Sequence, residues 1–133
     1  MLVKRAEQAM VRTKSAALKS VGVSPSQYVA LHELDRQPGI TAATLARACL
    51  VTPQAMMILL KTMEQQGLIT RLSHPRHPNV LELHLTDVGR EALLAAHERV
   101  DPIERRVFGV FSPKDEAAFR ALLSRFIEAF EQE

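Results

Sequence analysis

One segment of the chain carries side chains that could contact the base edges of double-stranded DNA. If residues 53–66 are helical, one face of the helix carries Gln54, Met57, Ile58 and Lys61, and we call it the recognition face. A glutamine amide can pair with adenine, apolar side chains contact the thymine methyl group, and a lysine ammonium reaches a phosphate or a guanine. We therefore expect an A·T-rich half-site contacted by Gln54, Ala55, Met57 and Ile58. The alternative is that Met57 and Ile58 belong to the core or contact a partner protein.

Two predicted helices between Thr41 and Gly67 position this face. The second begins after Thr52, a favourable N-cap, with proline at its first position, and Gly67 ends it as a C-cap glycine. On its opposite side, the spacing of Met56, Leu59, Leu60 and Met63 predicts a buried stripe. The first helix runs from about Thr41 to Cys49, and its apolar side consists of Leu45, Ala46 and Cys49. This pair is typical of a helix-turn-helix, although a generic helical hairpin shares the pattern.

The residues before this pair predict two further helices. The first covers residues 2–20 and ends at Gly22, with a thin apolar stripe formed by Leu2, Ala6, Ala9 or Met10, Thr13, Ala17 and Val21. Because that stripe is too weak to fold alone, the helix must pack on another element or a second chain. The next helix covers residues 24–36 and begins with a capping box from Ser24 to Gln27.

The residues after Gly67 predict a β-hairpin. The hydrophobic period changes to two, which indicates strands over 68–73 and 81–85, the second with a buried face of Leu81, Leu83 and Leu85. A hairpin that follows a helix-turn-helix is a wing. We therefore predict a mainly α chain with a small β-hairpin (α+β), a winged helix-turn-helix with helices at both ends.

The last third of the chain predicts two helices with much apolar surface. One is capped at Thr86-Asp87 and runs past Phe108, with Pro102 expected to kink it. The other begins at Ser112, and its apolar face consists of Phe119, Leu122, Leu123, Phe126, Ile127 and Phe130. A small middle lobe cannot cover this surface, which favours a homodimer. We divide the single domain, residues 1–133, into a winged lobe at 24–90 and dimerisation helices at 1–23 and 91–133.

Composition and charge agree with a DNA-binding protein only weakly. The net charge is +2, but residues 1–23 carry five Lys/Arg against one Asp/Glu, and residues 91–133 carry six against nine. The acidic end should therefore face away from DNA. No apolar run approaches the ~20 residues of a membrane span, and the N-terminus has no signal-peptide core. A single cysteine favours a reducing, cytoplasmic location.

At this point the chain resembles the MarR family of bacterial winged-helix regulators. The resemblance lies in VSPSQYVALHEL, in GITAATLARACLVTPQAMMILLKTMEQQGLI and in LELHLTDVGREAL, together with the element order over nearly the whole chain. It implies a homodimeric, sequence-specific DNA-binding repressor or activator, of a kind that often responds to small aromatic molecules or oxidants. Two departures remove positive charge from the expected DNA face: His77-Pro78-Asn79 stands where the family's wing has Asp-x-Arg, and Ile58 where many members have arginine.

Further DNA contacts are expected from hydroxyls and guanidiniums, which suit phosphates. The candidates outside the recognition face are Arg36, Thr41, Thr44, Thr52, Arg71 and Arg76, with His74 and His77 as phosphate-facing residues of the wing. For each of them helix capping or simple solvation is an equal alternative. His74, His77 and His84 could instead bind zinc, but no carboxylate or thiol is expected nearby, so we predict no metal and no cofactor.

The remaining candidates concern regulation. Cys49 is expected to be a buried structural cysteine, the alternative being a sensing thiol. A small-molecule effector, if one binds, should lie where the first, second and fifth helices meet, beside Arg12, Tyr28, His32 and His97. No phosphate loop, paired carboxylates or nucleophile motif indicates an enzyme. The rival functions are a protein-interaction module and a thiol- or metal-sensing regulator of the same fold.

Overall fold

The computed structural model describes residues 1–132, and its element order confirms the predicted fold class. The helices and strands of these residues are α1 (Leu2–Leu18, continued by a 3-10 turn at Lys19–Val21), α2 (Pro25–Arg36), α3 (Ala42–Ala48), α4 (Pro53–Gln65), β1 (Ile69–Ser73), β2 (Leu81–Leu85), α5 (Asp87–Phe108) and α6 (Pro113–Glu131). The chain is therefore mainly helical with one antiparallel hairpin.

Local hydrogen bonds explain where the helices begin. Four of them start with a serine or threonine whose hydroxyl accepts from the backbone N–H three residues later; these are Ser24, Thr41, Thr52 and Ser112. At α2 the Gln27 side chain also accepts from the Ser24 N–H, which completes the predicted capping box. Thr86 performs the same task for α5, because its hydroxyl accepts from the Gly89 N–H at 3.0 Å.

The two helices of the helix-turn-helix end in the same way. Gly67, with φ +73°, donates to the Glu64 carbonyl while Leu68 donates to Met63, which is a Schellman motif. After α3, Val51 donates to the Ala46 carbonyl in the same pattern, but the left-handed position is held by Leu50, with φ +57°. Each helix is therefore stopped by a left-handed residue, of which only one is glycine.

The hairpin is anchored to the helical lobe by backbone hydrogen bonds. Ile69 pairs with Leu85 and Ser73 with Leu81, and the Leu83 carbonyl and N–H bond to Gly39 and Ile40. The predicted burial of β2 is right for Leu83, is partly met at Leu85 and is wrong for Leu81, which is 44% exposed. Leu81 lies at the far end of the strand, beyond the segment that packs on the lobe.

Residues 1–100 form one compact unit, and most of its buried side chains come from the helix-turn-helix, α2 and the hairpin. A second cluster joins Leu18 of α1 to Ala96 and Val100 of α5. Leu18 is fully buried although it lies outside the predicted α1 stripe, whose Leu2 and Met10 are exposed. Residues 2–12 of α1 are all exposed, so the stripe on these turns is left for another surface.

The start of α5 approaches the end of the helix-turn-helix so closely that it requires glycine. A Cβ at Gly89 would lie 2.0 Å from the Leu68 carbonyl oxygen. The Thr86 hydroxyl and N–H also donate to the Gly67 and Leu68 carbonyls, respectively. These contacts join the wing's exit to the end of α4.

Residues from Asp101 onward form a second unit, and α5 spans the boundary between the two. In this unit the Arg120 guanidinium lies 4.4 Å from the centre of the Phe108 ring, and Phe111 stacks on Phe119. The predicted apolar residues of α6 all remain exposed, from Leu123 at 37% to Phe130 at 73%. Within residues 1–132 no single helix could cross a membrane, although α3 and α4 as a pair bent by 108° meet the length and composition of a span.

Candidate nucleic-acid interface

The recognition helix α4 has the two faces that its spacing predicts. Met56, Leu60 and Met63 are fully buried, and Leu59 is half-buried. On the other side Ile58 is 71% exposed and Met57 48% exposed, beside exposed Gln54, Ala55 and Lys61. The lobe therefore leaves this face free, which removes the alternative that Met57 and Ile58 are core residues; their contact with bases stays a prediction.

The predicted hydroxyl contacts of the helix-turn-helix already serve the fold. Thr41 caps α3 and donates its hydroxyl hydrogen to the Thr44 hydroxyl, which also accepts from Arg47 at 3.1 Å. Thr52 caps α4. Arg47, an exposed guanidinium beside these hydroxyls, is not among the residues predicted to contact DNA. Its spacing of three residues from Thr44 is the signal that could have identified it.

Two of the predicted phosphate-binding arginines have carboxylate partners in the protein. Arg36 lies 2.9 Å from Glu33 on the same helix, and Arg71 of β1 pairs with Glu64 of α4. Such pairs reduce the positive charge that each guanidinium offers to DNA. Across residues 1–132, neither Lys61 nor the Arg76 side chain has an ion-pair partner, so these two cations are the more available.

The segment between the strands, residues 74–80, forms a closed loop that we call the wing tip. It contains three of the predicted DNA-binding residues, namely His74, Arg76 and His77. His77 and Arg76 are exposed, and the His74 and His77 rings lie 5.1 Å apart. The expectation that no carboxylate is near the histidines is wrong, because Glu82 of β2 lies between His74 and His84. Among residues 1–132, however, no three such side chains have the geometry of a metal site.

Three of the four predicted effector-contacting residues meet where α2 crosses α5. The Tyr28 hydroxyl lies 2.7 Å from Nδ1 of His97, and the two rings meet edge to face. The His32 ring contacts the other side of this pair, with its centre 5.7 Å from that of His97. Arg12 is exposed on α1 and lines only a shallow depression formed by that helix. The structure thus brings together Tyr28, His32 and His97 but not Arg12.

Cys49 lies at the end of α3, where it is half-buried against the core. Burial raises the pKa of its thiol, and the nearby Glu33 carboxylate raises it further. A reactive thiol needs the opposite shift, because the thiolate is the nucleophile. The environment therefore favours the structural role over that of a sensing thiol.

The sequence model of the MarR family matches residues 21–77. The chain is 32% identical over 111 residues to the HTH-type transcriptional repressor Rv2887 of Mycobacterium tuberculosis, and the match covers 84% of this chain and 80% of the relative. The crystal structure of Rv2887 with salicylic acid superposes with a TM-score of 0.72 at 30% identity, over 94% of this chain and 93% of the other.

Two DNA-bound repressors share the fold at lower identity. The transcriptional repressor CouR on a 23-mer duplex superposes with a TM-score of 0.87 at 24% identity, over 95% of this chain and 89% of the other. The MepR–DNA complex of S. aureus superposes with a TM-score of 0.90 at 21% identity, over 97% and 94%. These likenesses concern the arrangement of the helices and the hairpin.

Proposed function

Because the chain belongs to the MarR family of winged helix-turn-helix transcriptional regulators, we propose that it acts as a homodimeric repressor on a pseudo-palindromic operator. The observation that carries this proposal is the exposed face of α4, where Ile58 and Met57 project with Gln54 and Lys61 from an otherwise well-packed lobe. A helix with a bare outer face, followed by a hairpin, fits a major groove flanked by phosphates.

The proposed dimer rests on apolar surface that a single chain leaves uncovered. The exposed side chains on α6 include Phe119, Leu122, Phe126, Ile127 and Phe130, and those on α1 include Leu2, Val3, Met10 and Val11. Surface of this kind is typical of an interface between two copies. Two-fold symmetry would place the two α4 helices roughly 34 Å apart, one turn of DNA, and so set the spacing of the half-sites.

The winged lobe and the terminal helices have different proposed tasks. We assign residues 24–90 to DNA binding and residues 1–23 and 91–133 to dimerisation, within a single MarR-like domain at 1–133. The basic excess at the N-terminal end and the acidic excess at the C-terminal end agree with this assignment.

We infer that a small aromatic ligand controls binding. Salicylic acid is bound in the structure of Rv2887, and this chain has three aromatic and imidazole side chains together where α2 crosses α5. A ligand seated at Tyr28, His32 and His97 would act on the helix that leads from the winged lobe toward α6. Control would come from the spacing of the two recognition helices.

The second candidate function is a protein-interaction module, which the apolar character of Met57 and Ile58 favours.

The decisive experiment is selection of bound sequences from random DNA at two salt concentrations. The repressor proposal expects an inverted repeat with A·T-rich half-site centres and an affinity that falls steeply with salt. Selection of no sequence, or salt-independent binding, would contradict it.

A pair of charge variants sharpens this experiment. Lys61→Ala removes an exposed cation of the recognition face, and it should weaken binding about equally on all sequences and reduce the salt slope by about one per contact. Lys114→Ala removes the same charge from α6 and serves as the matched control, because its exposed side chain lies outside the recognition face and is not part of the apolar surface named for the dimer. Equal losses from both variants would mean that the assigned face is wrong.

A further inference from the structure

We propose that Glu82 is a positioning residue of the wing, whose carboxylate holds His74 and His84 and thereby fixes the direction in which Arg76 is presented to DNA. This inference rests on the proposed operator binding. It concerns a residue that carries the wrong charge for a phosphate contact and yet lies at the centre of the wing's polar contacts.

The wing tip is closed by its own backbone. His74 donates its N–H to the Val80 carbonyl at 2.9 Å, and Val80 donates back to His77 at 2.8 Å. His77 in turn donates to the His74 carbonyl at 3.3 Å. The seven residues therefore form a defined loop rather than a loose connection, and the direction of the loop depends on His74, where it joins β1.

The His74 ring connects this loop to Glu82. Its Nδ1 lies 3.1 Å from the Arg76 backbone nitrogen and accepts that N–H. In a neutral imidazole the accepting nitrogen carries no hydrogen, so the hydrogen is on Nε2. Nε2 lies 3.8 Å from Oε1 of Glu82. The same ring thus contacts the backbone of Arg76 on one side and faces the Glu82 carboxylate on the other.

The second oxygen of Glu82 faces the base of the wing. Oε2 lies 3.4 Å from Nε2 of His84. Both side chains border Gly39, since a Cβ there would lie 3.6 Å from Cδ of Glu82 and from Cε1 of His84. Gly39 donates its N–H to the Leu83 carbonyl at 2.9 Å, which ties this strand to the loop between α2 and α3. A row of neighbouring polar groups therefore runs from that loop through Glu82, whose Oε1 lies 3.8 Å from His74, to the backbone of Arg76.

The charge of Glu82 makes the inference easy to distinguish from simple electrostatics. A carboxylate on an element that faces phosphates repels DNA, so its removal by itself should strengthen binding. A positioning carboxylate has the opposite consequence, because its removal lets the wing tip and Arg76 move. The sign of the change in affinity therefore separates the two explanations.

The test uses the full chain and the operator sequence selected as above. Glu82→Val keeps a residue that suits a strand but removes the carboxylate, and Glu82→Gln removes the same charge but keeps an oxygen that can accept from one imidazole. We expect Glu82→Val to weaken binding roughly fivefold and Glu82→Gln to weaken it less. Glu98→Gln is the matched control and should leave affinity unchanged, because this exposed carboxylate on α5 belongs neither to the wing nor to the apolar surface named for the dimer.

A second background shows whether the effect passes through Arg76. Arg76→Ala should itself weaken binding, and adding Glu82→Val to it should produce no further loss. The inference is overturned if Glu82→Val binds as tightly as the unaltered chain or more tightly, if its loss persists alongside Arg76→Ala, or if Arg76→Ala alone has no effect. In each of these cases operator binding itself still stands. Failure of the unaltered chain to bind any DNA would overturn the proposed function, and this inference with it.

Discussion

The hydroxyl of Tyr28 and Nδ1 of His97, 69 residues apart in sequence, lie 2.7 Å from each other. This hydrogen bond joins α2 of the winged lobe to α5. His32 contacts the His97 ring edge to face, so the two helices meet through three ring systems rather than through aliphatic side chains alone. These contacts connect α2 to α5, the helix that continues into the second unit.

Removing that hydroxyl should weaken the junction between α2 and α5. Tyr28→Phe keeps the ring but leaves Nδ1 of His97 without its partner, and we expect the free energy of unfolding to fall by about 1 kcal/mol. Urea denaturation measures this loss. A double-mutant cycle with His97→Phe isolates the pair, since the second substitution should cost less once the first is present. Strictly additive losses would show that the two side chains do not interact.

Adding a positive charge to the recognition face should increase affinity for non-operator DNA, which has no base contact with Ile58 to lose. Ile58 is 71% exposed at the middle of α4, so Ile58→Arg disturbs no packing and places a guanidinium where it can reach phosphates. We expect tighter binding and a salt dependence that is steeper by about one unit per protomer. Fluorescence anisotropy at several salt concentrations measures both quantities.

The matched control for this substitution is Val29→Arg, at a position on α2 that is 43% exposed. It adds the same charge outside the recognition face and should change the salt dependence little. If both variants gained affinity equally, the recognition face would have no special part in binding.

Replacing the left-handed leucine after α3 should stabilise the protein. Leu50 has φ +57° and is 91% exposed, so its side chain gains no packing to offset the strain of that conformation. Left-handed backbone costs a non-glycine residue roughly 1–2 kcal/mol, of which the greater chain entropy of glycine returns a part. We expect Leu50→Gly to raise the free energy of unfolding by about 0.5–1 kcal/mol.

Leu50→Ala keeps the strain and removes only the exposed side chain, so it should leave stability nearly unchanged. Thermal denaturation of the two variants beside the unaltered chain provides the comparison. Destabilisation by the glycine variant would mean that the Leu50 side chain makes a contact that supports the turn.

The thiol of Cys49 should make stability fall at alkaline pH. Burial, reinforced by Glu33, raises the pKa of this thiol in the folded chain above its ordinary value of 9.0. The folded state therefore holds its proton more tightly than the unfolded state does. The resulting stabilisation is fully present below the ordinary pKa and is lost as pH rises through the folded value.

The comparison variant is Cys49→Ala, which has no thiol to titrate. The difference in free energy of unfolding between the two proteins should be constant up to about pH 8 and then shrink as pH rises. Iodoacetamide should also modify the native thiol slowly at neutral pH, because little thiolate is present. Rapid alkylation that abolished DNA binding would instead support a sensing thiol.

Local signals were sufficient for much of this architecture. The starts of α2, α3, α4 and α6 follow from hydroxyls that bond to an N–H three residues away, and such contacts depend on neighbours in the chain. The two faces of α4 follow from helical spacing for the same reason. The order of helices, hairpin and long helix, and with it the resemblance to the family, could therefore be predicted from the sequence.

Other features depend on residues that only folding brings together. Glu64 pairs with Arg71, Glu82 lies beside His74 and His84, and Leu18 of α1 packs against α5. The spacing of residues along a single helix or strand indicates none of these contacts. The exposed end of β2 at Leu81 likewise depends on how far the hairpin extends past the lobe. The amino-acid sequence by itself determined which faces could bind DNA, because each face lies on one helix. The tertiary structure decided that Arg71 is paired while Lys61 and the Arg76 side chain, among residues 1–132, are not, because the Glu64 partner of Arg71 comes from another element.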